Sequence, residues 1–169
     1  FTNLNGGALS NFNLTNCTFS DLTQFGEGFL FNIDSGSSVG TISASRCNFN
    51  GIFAGSIAID IQHIANGTSL DNLILSECNF NNTLGSTVMA LGNGGTDGII
   101  RNASISGCNF NTISGAGFGA FINTNITNLD FTRCSFNDII NGSTGVRLSD
   151  TISDATFSEC TFDIITGAS

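Results

Sequence analysis

The side chains with the greatest chemical potential in this 169-residue chain are six thiols. Cys17, Cys47, Cys78, Cys108, Cys134 and Cys160 return at intervals of 30, 31, 30, 26 and 26 residues, each two residues ahead of a phenylalanine. Thiols can ligate metals, form disulfides or attack an electrophile, and each chemistry asks for a different neighbourhood. A zinc or redox centre asks for Cys-x-x-Cys pairs or a cysteine–histidine cluster, and the sequence holds neither. No metal and no cofactor is therefore expected. The strict spacing places the cysteines at equivalent positions of successive repeats, which would stack about 4.8 Å apart with parallel side chains. That separation lies within reach of a disulfide, but the favoured reading is a column of buried reduced thiols acting as small apolar filler.

The remaining candidates are carboxylates and one histidine. His63 lies in Asp60-Ile61-Gln62-His63-Ile64 with no nucleophile or carboxylate set by a motif, so it reads as a strand or corner residue. Asp150 with Asp154, and Asp130 with Asp154 one repeat apart, could form carboxylate pairs. A glycosidase needs such a pair facing a bound sugar, usually beside aromatic platforms, and tryptophan and tyrosine are absent. The turn Gly94-Gly95-Thr96-Asp97-Gly98 has only a faint calcium-loop character. No catalytic residue and no metal ligand is assigned, and the chain is expected not to be an enzyme. Four arginines, no lysine and a net charge of −9 argue against nucleic-acid binding and against holding an anionic membrane. No apolar run is long enough to insert in a bilayer.

The elements that position the thiols follow from the columns around them. Eight residues before each cysteine stand Leu9, Val39, Leu70, Ile100, Ile126 and Ile152, and alternating apolar positions five and three before complete one strand. A hydroxyl residue two before and a polar residue or glycine one before mark a bend. The cysteine and Phe19, Phe49, Phe80, Phe110, Phe136 or Phe162 then point inward as a second strand. Three after the cysteine come Ser20, Asn50, Asn81, Asn111, Asn137 and Asp163, expected to form a polar ladder. Short apolar runs such as Phe29-Leu30-Phe31 and Val88-Met89-Ala90-Leu91 supply a third strand. In the column just before the cysteines, Arg46 and Glu77, and likewise Arg133 and Glu159, fall one repeat apart and are expected to form inter-coil ion pairs. Residues 1–169 thus read as one all-β domain, a parallel β-helix of about six coils of 26–31 residues with three short strands per coil. Because the chain opens inside a repeat, it is expected to be a fragment or repeating subunit of a longer fibre.

The frame Leu-x-x-Leu-x-Leu-(Ser/Thr)-x-Cys-x-Phe-Asn, written out from Leu70 and again, with substitutions, from Ile126, resembles the right-handed parallel β-helix repeats of secreted adhesins, autotransporter-type passengers and pectate-lyase-like proteins. The resemblance spans nearly the whole chain and implies a fold and an extracellular or cell-surface location. A leucine-rich-repeat solenoid is the alternative, since its frame is close; three of the five intervals are longer than that repeat allows. The functional expectation is a structural or adhesive filament or stalk subunit that stacks end to end with further copies. A carbohydrate-binding or polysaccharide-cleaving β-helix of pectate-lyase-like architecture is the alternative. Seven Asn-x-Ser/Thr sequons start at Asn13, Asn16, Asn66, Asn81, Asn102, Asn125 and Asn141, and Asn66, Asn125 and Asn141 are the best placed to carry glycans. Self-association, covalent glycans and surface polysaccharide are the expected partners.

Overall fold

The computed structural model describes residues 2–4, 6–34, 36–63, 67–92 and 98–166. Eighteen strands run along them in the order β1 (Thr2–Leu4), β2 (Ala8–Thr15), β3 (Thr18–Leu22), β4 (Glu27–Ile33), β5 (Ser38–Ser45), β6 (Asn48–Phe53), β7 (Ile57–His63), β8 (Ser69–Ser76) and β9 (Asn79–Leu84). They continue as β10 (Thr87–Leu91), β11 (Ile99–Ser106), β12 (Asn109–Ser114), β13 (Phe118–Ile122), β14 (Asn125–Thr132), β15 (Ser135–Ile140), β16 (Thr144–Leu148), β17 (Ile152–Ser158) and β18 (Thr161–Thr166). Every third strand pairs in parallel, giving three six-stranded sheets: β2-β5-β8-β11-β14-β17, β3-β6-β9-β12-β15-β18 and β1-β4-β7-β10-β13-β16. The chain is a parallel β-solenoid. No helix occurs among the described residues, and a strand occupies the place where a leucine-rich repeat would keep one. Six cysteine frames yield five complete coils, β2 through β16, with β1 and the β17–β18 pair belonging to turns the described residues contain only in part.

The register keeps like residues in line. Phe19, Phe49, Phe80, Phe110, Phe136 and Phe162 are successive partners across the second sheet, and the aliphatic column from Leu9 to Ile152 does the same across the first. A one-residue slip would turn each apolar column to solvent, so burial on the inner face fixes the register. From Phe29 to Ile139 the inner columns form one continuous core.

The bend from the first sheet to the second takes a single residue. Asn16, Arg46, Glu77, Gly107, Arg133 and Glu159, each just before its cysteine, all have φ between 51° and 60°. The N–H groups of the first five still donate to the next coil, as from Arg46 to Ser76 O at 2.9 Å and from Glu77 to Ser106 O at 2.9 Å. One left-handed residue therefore redirects the chain without interrupting the inter-coil hydrogen bonding, at a conformational cost of about 1–2 kcal/mol for a non-glycine residue. A second left-handed column runs four after the cysteine, through Asp21, Gly51, Asn82, Thr112, Asp138 and Ile164.

Candidate functional site

All six cysteines are free, and they form one column on the inner face. The carbonyls from Cys17 to Cys134 each accept the N–H of the residue following the next cysteine, for example Cys78 O from Asn109 N at 2.9 Å, which locks the thiols at the coil repeat. Each thiol donates to the carbonyl two residues earlier, Cys47 to Ser45 O at 3.4 Å and Cys108 to Ser106 O at 3.5 Å. Cys134 and Cys160 also reach the preceding coil, at Ile105 O and Phe131 O, both 3.3 Å. Cys47, Cys78, Cys108 and Cys134 are buried, and Cys17 and Cys160 are half-buried. The thiols act on one another. The Cys108 thiol lies between Cys134 and Cys78, which hold its pKa far up. The Cys108 thiol beside them in turn draws Cys78 and Cys134 down to about 7. Burial raises Cys47 and Cys160.

The phenylalanines beside the thiols stack face to face. Centroid separations are 4.7 Å for Phe19–Phe49, 5.1 Å for Phe49–Phe80, 5.0 Å for Phe80–Phe110, 4.6 Å for Phe110–Phe136 and 4.9 Å for Phe136–Phe162. Such pairs contribute roughly 0.5–1.5 kcal/mol each beyond burial. In-register stacking places every ring over its equivalent, so the sequence repeat alone generates the aromatic column.

On the outer face, Ser20, Asn50, Asn81, Asn111, Asn137 and Asp163 lie in register. Their hydrogen bonds, however, go to neighbouring columns, with Asn81 Nδ2 on Asn48 Oδ1 at 3.5 Å and Asn82 Nδ2 on Asn50 Oδ1 at 2.8 Å. Head-to-tail amide ladders run elsewhere. Asn109 donates to Asn79 at 2.7 Å and Ser135 to Asn109 at 2.6 Å; in the first sheet Asn102 donates to Asn72 at 3.1 Å and Asn128 to Asn102 at 2.8 Å. These ladders were open to detection as Asn recurring one and six residues from the cysteines.

The expected ion pairs need correction. Arg46 does not meet Glu77, and Arg133 does not meet Glu159; Arg46 Nε donates instead to Asn16 Oδ1 at 3.2 Å. All four side chains leave the left-handed corner into solvent, where fixing two long side chains returns little net energy. An ion pair does join Arg101 Nε and Asp71 Oδ1 at 2.9 Å, from strands β11 and β8 of adjacent coils, with both side chains about half exposed.

Two further columns had no sequence signal distinct from a loop. Ser56, Ser86 and Ser143 are buried hydroxyls at the corner before the third sheet. They accept from the preceding coil's backbone, Gly26 N at 3.1 Å, Gly55 N at 3.1 Å and Gly117 N at 3.2 Å. Ser37, Thr68 and Thr124 are buried at the opposite corner, with Thr124 Oγ1 on Gly98 O at 3.1 Å.

The carboxylate pairs are not assembled. Asp154 faces Asn128 and Asp130 faces Thr156, so the two acids sit out of register, and Asp150 caps Thr151 N at 2.7 Å. His63 closes β7, and the Gly94–Asp97 stretch lies outside the described residues. Among the sequons, Asn13 accepts from Ser43 Oγ at 2.6 Å, Asn16 holds Arg46, Asn102 sits inside an amide ladder and Asn81 is half-buried. Asn125 opens β14, Asn141 is exposed at a left-handed corner, and Asn66 lies outside the described residues.

The third sheet presents a less regular outer face. The Arg147 guanidinium lies 5.7 Å from the ring centroids of both Phe118 and Phe121, and its Nε donates to Ser149 Oγ at 3.2 Å. A cleft of about 480 Å³ opens beside it, lined by Phe118, Thr144, Val146, Arg147 and Leu148 among others. Its fixed cation and apolar wall suit an anion with an apolar or ring-shaped body.

No protein-family model, no curated protein and no solved structure matches the chain.

Proposed function

We propose that this chain is a length of structural rod, a β-solenoid of the extracellular or cell-surface kind that joins further coils end to end in a stalk or filament. The observation that carries this reading is the regularity of the interior ladders, in which Phe19, Phe49, Phe80, Phe110 and Phe136 stack at 4.6–5.1 Å beside one continuous core. Phe131, Phe136 and Ile139 are fully buried, while their stacking equivalents Phe157, Phe162 and Ile165 are 42%, 50% and 44% exposed beside unpaired edges of β17 and β18. Each coil of such a stack buries its apolar face only against its neighbours, so equivalent coils add in register. The exposed sequon at Asn141 is where a glycan fits this reading best.

Negative-stain electron microscopy with sedimentation at several concentrations tests it. Rods that lengthen with concentration are expected, and Phe162→Asp, which charges the stacking face, should shorten them. A monodisperse monomer insensitive to that substitution counts against assembly by this face. A second reading, a carbohydrate-binding solenoid, draws on the cleft beside Arg147; loss of glycan binding in Arg147→Ala with the fold intact would favour it.

A further inference from the structure

The thiol column carries a chemistry that packing does not use. We propose that neighbouring thiols of the column bind soft two-coordinate d10 cations, Cu(I), Ag(I) or Hg(II), each held between the sulfurs of adjacent coils. The proposal goes beyond the rod reading and stands whether or not copies stack.

The argument begins with distance. Metal–thiolate bonds are about 2.3 Å, so two in line span about 4.6 Å. The coil repeat that separates successive cysteines is about 4.8 Å, and the backbone bond from each cysteine carbonyl to the following coil holds them at that repeat. A cation fits between two sulfurs without parting the coils. Coordination number then selects the metal. No three His, Cys, Asp or Glu side chains converge on a point among the described residues, which disfavours four-coordinate zinc and oxygen-seeking ions. Two sulfurs alone suit soft cations. Ligation takes thiolates, and every cysteine of the column is free to supply one.

The step balances without redox change. Two S–H bonds break, two S–metal bonds form and both protons pass to solvent. The pair is left neutral with Hg(II) and singly negative with Cu(I) or Ag(I). A buried negative charge is costly, so Hg(II) is the sharper probe.

The test separates adjacency from the mere number of thiols. The triple variant Cys47→Ala, Cys108→Ala, Cys160→Ala keeps three thiols with no two in neighbouring coils. The triple variant Cys108→Ala, Cys134→Ala, Cys160→Ala keeps Cys17, Cys47 and Cys78 in consecutive coils. Each folded protein is titrated with Hg(II) against a small competing monothiol, with mercury–thiolate absorbance as the readout and far-ultraviolet circular dichroism as the check on folding. The consecutive variant is expected to bind more tightly by roughly 100- to 10,000-fold, the gain from a tethered second ligand. Equal affinities, or binding only with loss of the β-sheet signal, overturn the proposal. Should a triple variant fail to fold, two double variants with four thiols each decide the matter. Cys47→Ala with Cys108→Ala leaves one adjacent pair, and Cys17→Ala with Cys47→Ala leaves four consecutive thiols, enough for two non-overlapping pairs. Equal mercury capacities would overturn the assignment.

Discussion

Replacing Phe110 by alanine removes a ring from the middle of the aromatic column. Phe110 is fully buried and lies 5.0 Å and 4.6 Å, centroid to centroid, from Phe80 and Phe136. Truncating a buried phenylalanine typically costs about 3–5 kcal/mol through lost transfer energy and the cavity left behind. Parallel strands held at one spacing on both sides limit how far this site can collapse, and two stacked partners are lost at once. The expected cost is therefore in the upper part of that range, about 4–5 kcal/mol. Phe162 supplies the internal control, since it is half exposed and stacks on Phe136 alone at 4.9 Å. Phe162→Ala should cost about 1–2 kcal/mol, in proportion to the apolar area it buries. Urea unfolding followed by circular dichroism measures both, with the slope against denaturant checked for constancy. A Phe110→Ala cost below about 1 kcal/mol, or one equal to that of Phe162→Ala, would refute the claim that the column is the rigid spine of the rod.

Three other outcomes follow from the same geometry. Thr112 is a β-branched residue at φ 55°, where the equivalent residue one coil earlier is Asn82; Thr112→Asn should raise stability by about 0.5–1 kcal/mol in thermal unfolding, and a loss would show that the threonine side chain has an unseen role. Ser143→Ala leaves the buried Gly117 N–H without its acceptor and should cost about 1–3 kcal/mol, against near neutrality for Ser149→Ala at the surface. Cys108→Ala removes the neighbouring thiol that lowers Cys78 and Cys134, so their thiolate absorbance should move to higher pH than in the parent. In the parent, the stability from those two lowered thiols is present above the unfolded thiol pKa of about 8.5 and is lost as pH falls through 7, while that from raised Cys108 is lost as pH rises past about 8.5. An unchanged thiolate midpoint in Cys108→Ala would contradict the influence of Cys108 on its two neighbours.

How much of this was legible in the sequence depends on what fixed each feature. The Cys-x-Phe frame and the aliphatic residue eight before it could be assigned to a common inner face because periodicity and burial give the same answer at every repeat. The head-to-tail bonding of Asn72, Asn102 and Asn128 was harder, since whether an amide reaches up its own column or across to the next depends on rotamers set by neighbours. Arg46 and Glu77 show the opposite failure. Their spacing in sequence suggested a pair, but the left-handed φ of that column directs them off the rod. The spacing gave the register and could not give the direction.

Sequence by itself determined the parallel β-solenoid, its coil length and its inner columns, because a repeating apolar pattern can be buried only by stacking equivalent residues. Tertiary structure decided the corners, the buried Ser56, Ser86 and Ser143 column, the cleft beside Arg147 and the coupling of Cys108 to its neighbours. These arise between coils, where a serine, an arginine or a thiol takes its role from the backbone of the turn above or below. Residues about 30 apart in the chain become nearest neighbours at about one coil spacing, and no local pattern records which atoms then meet.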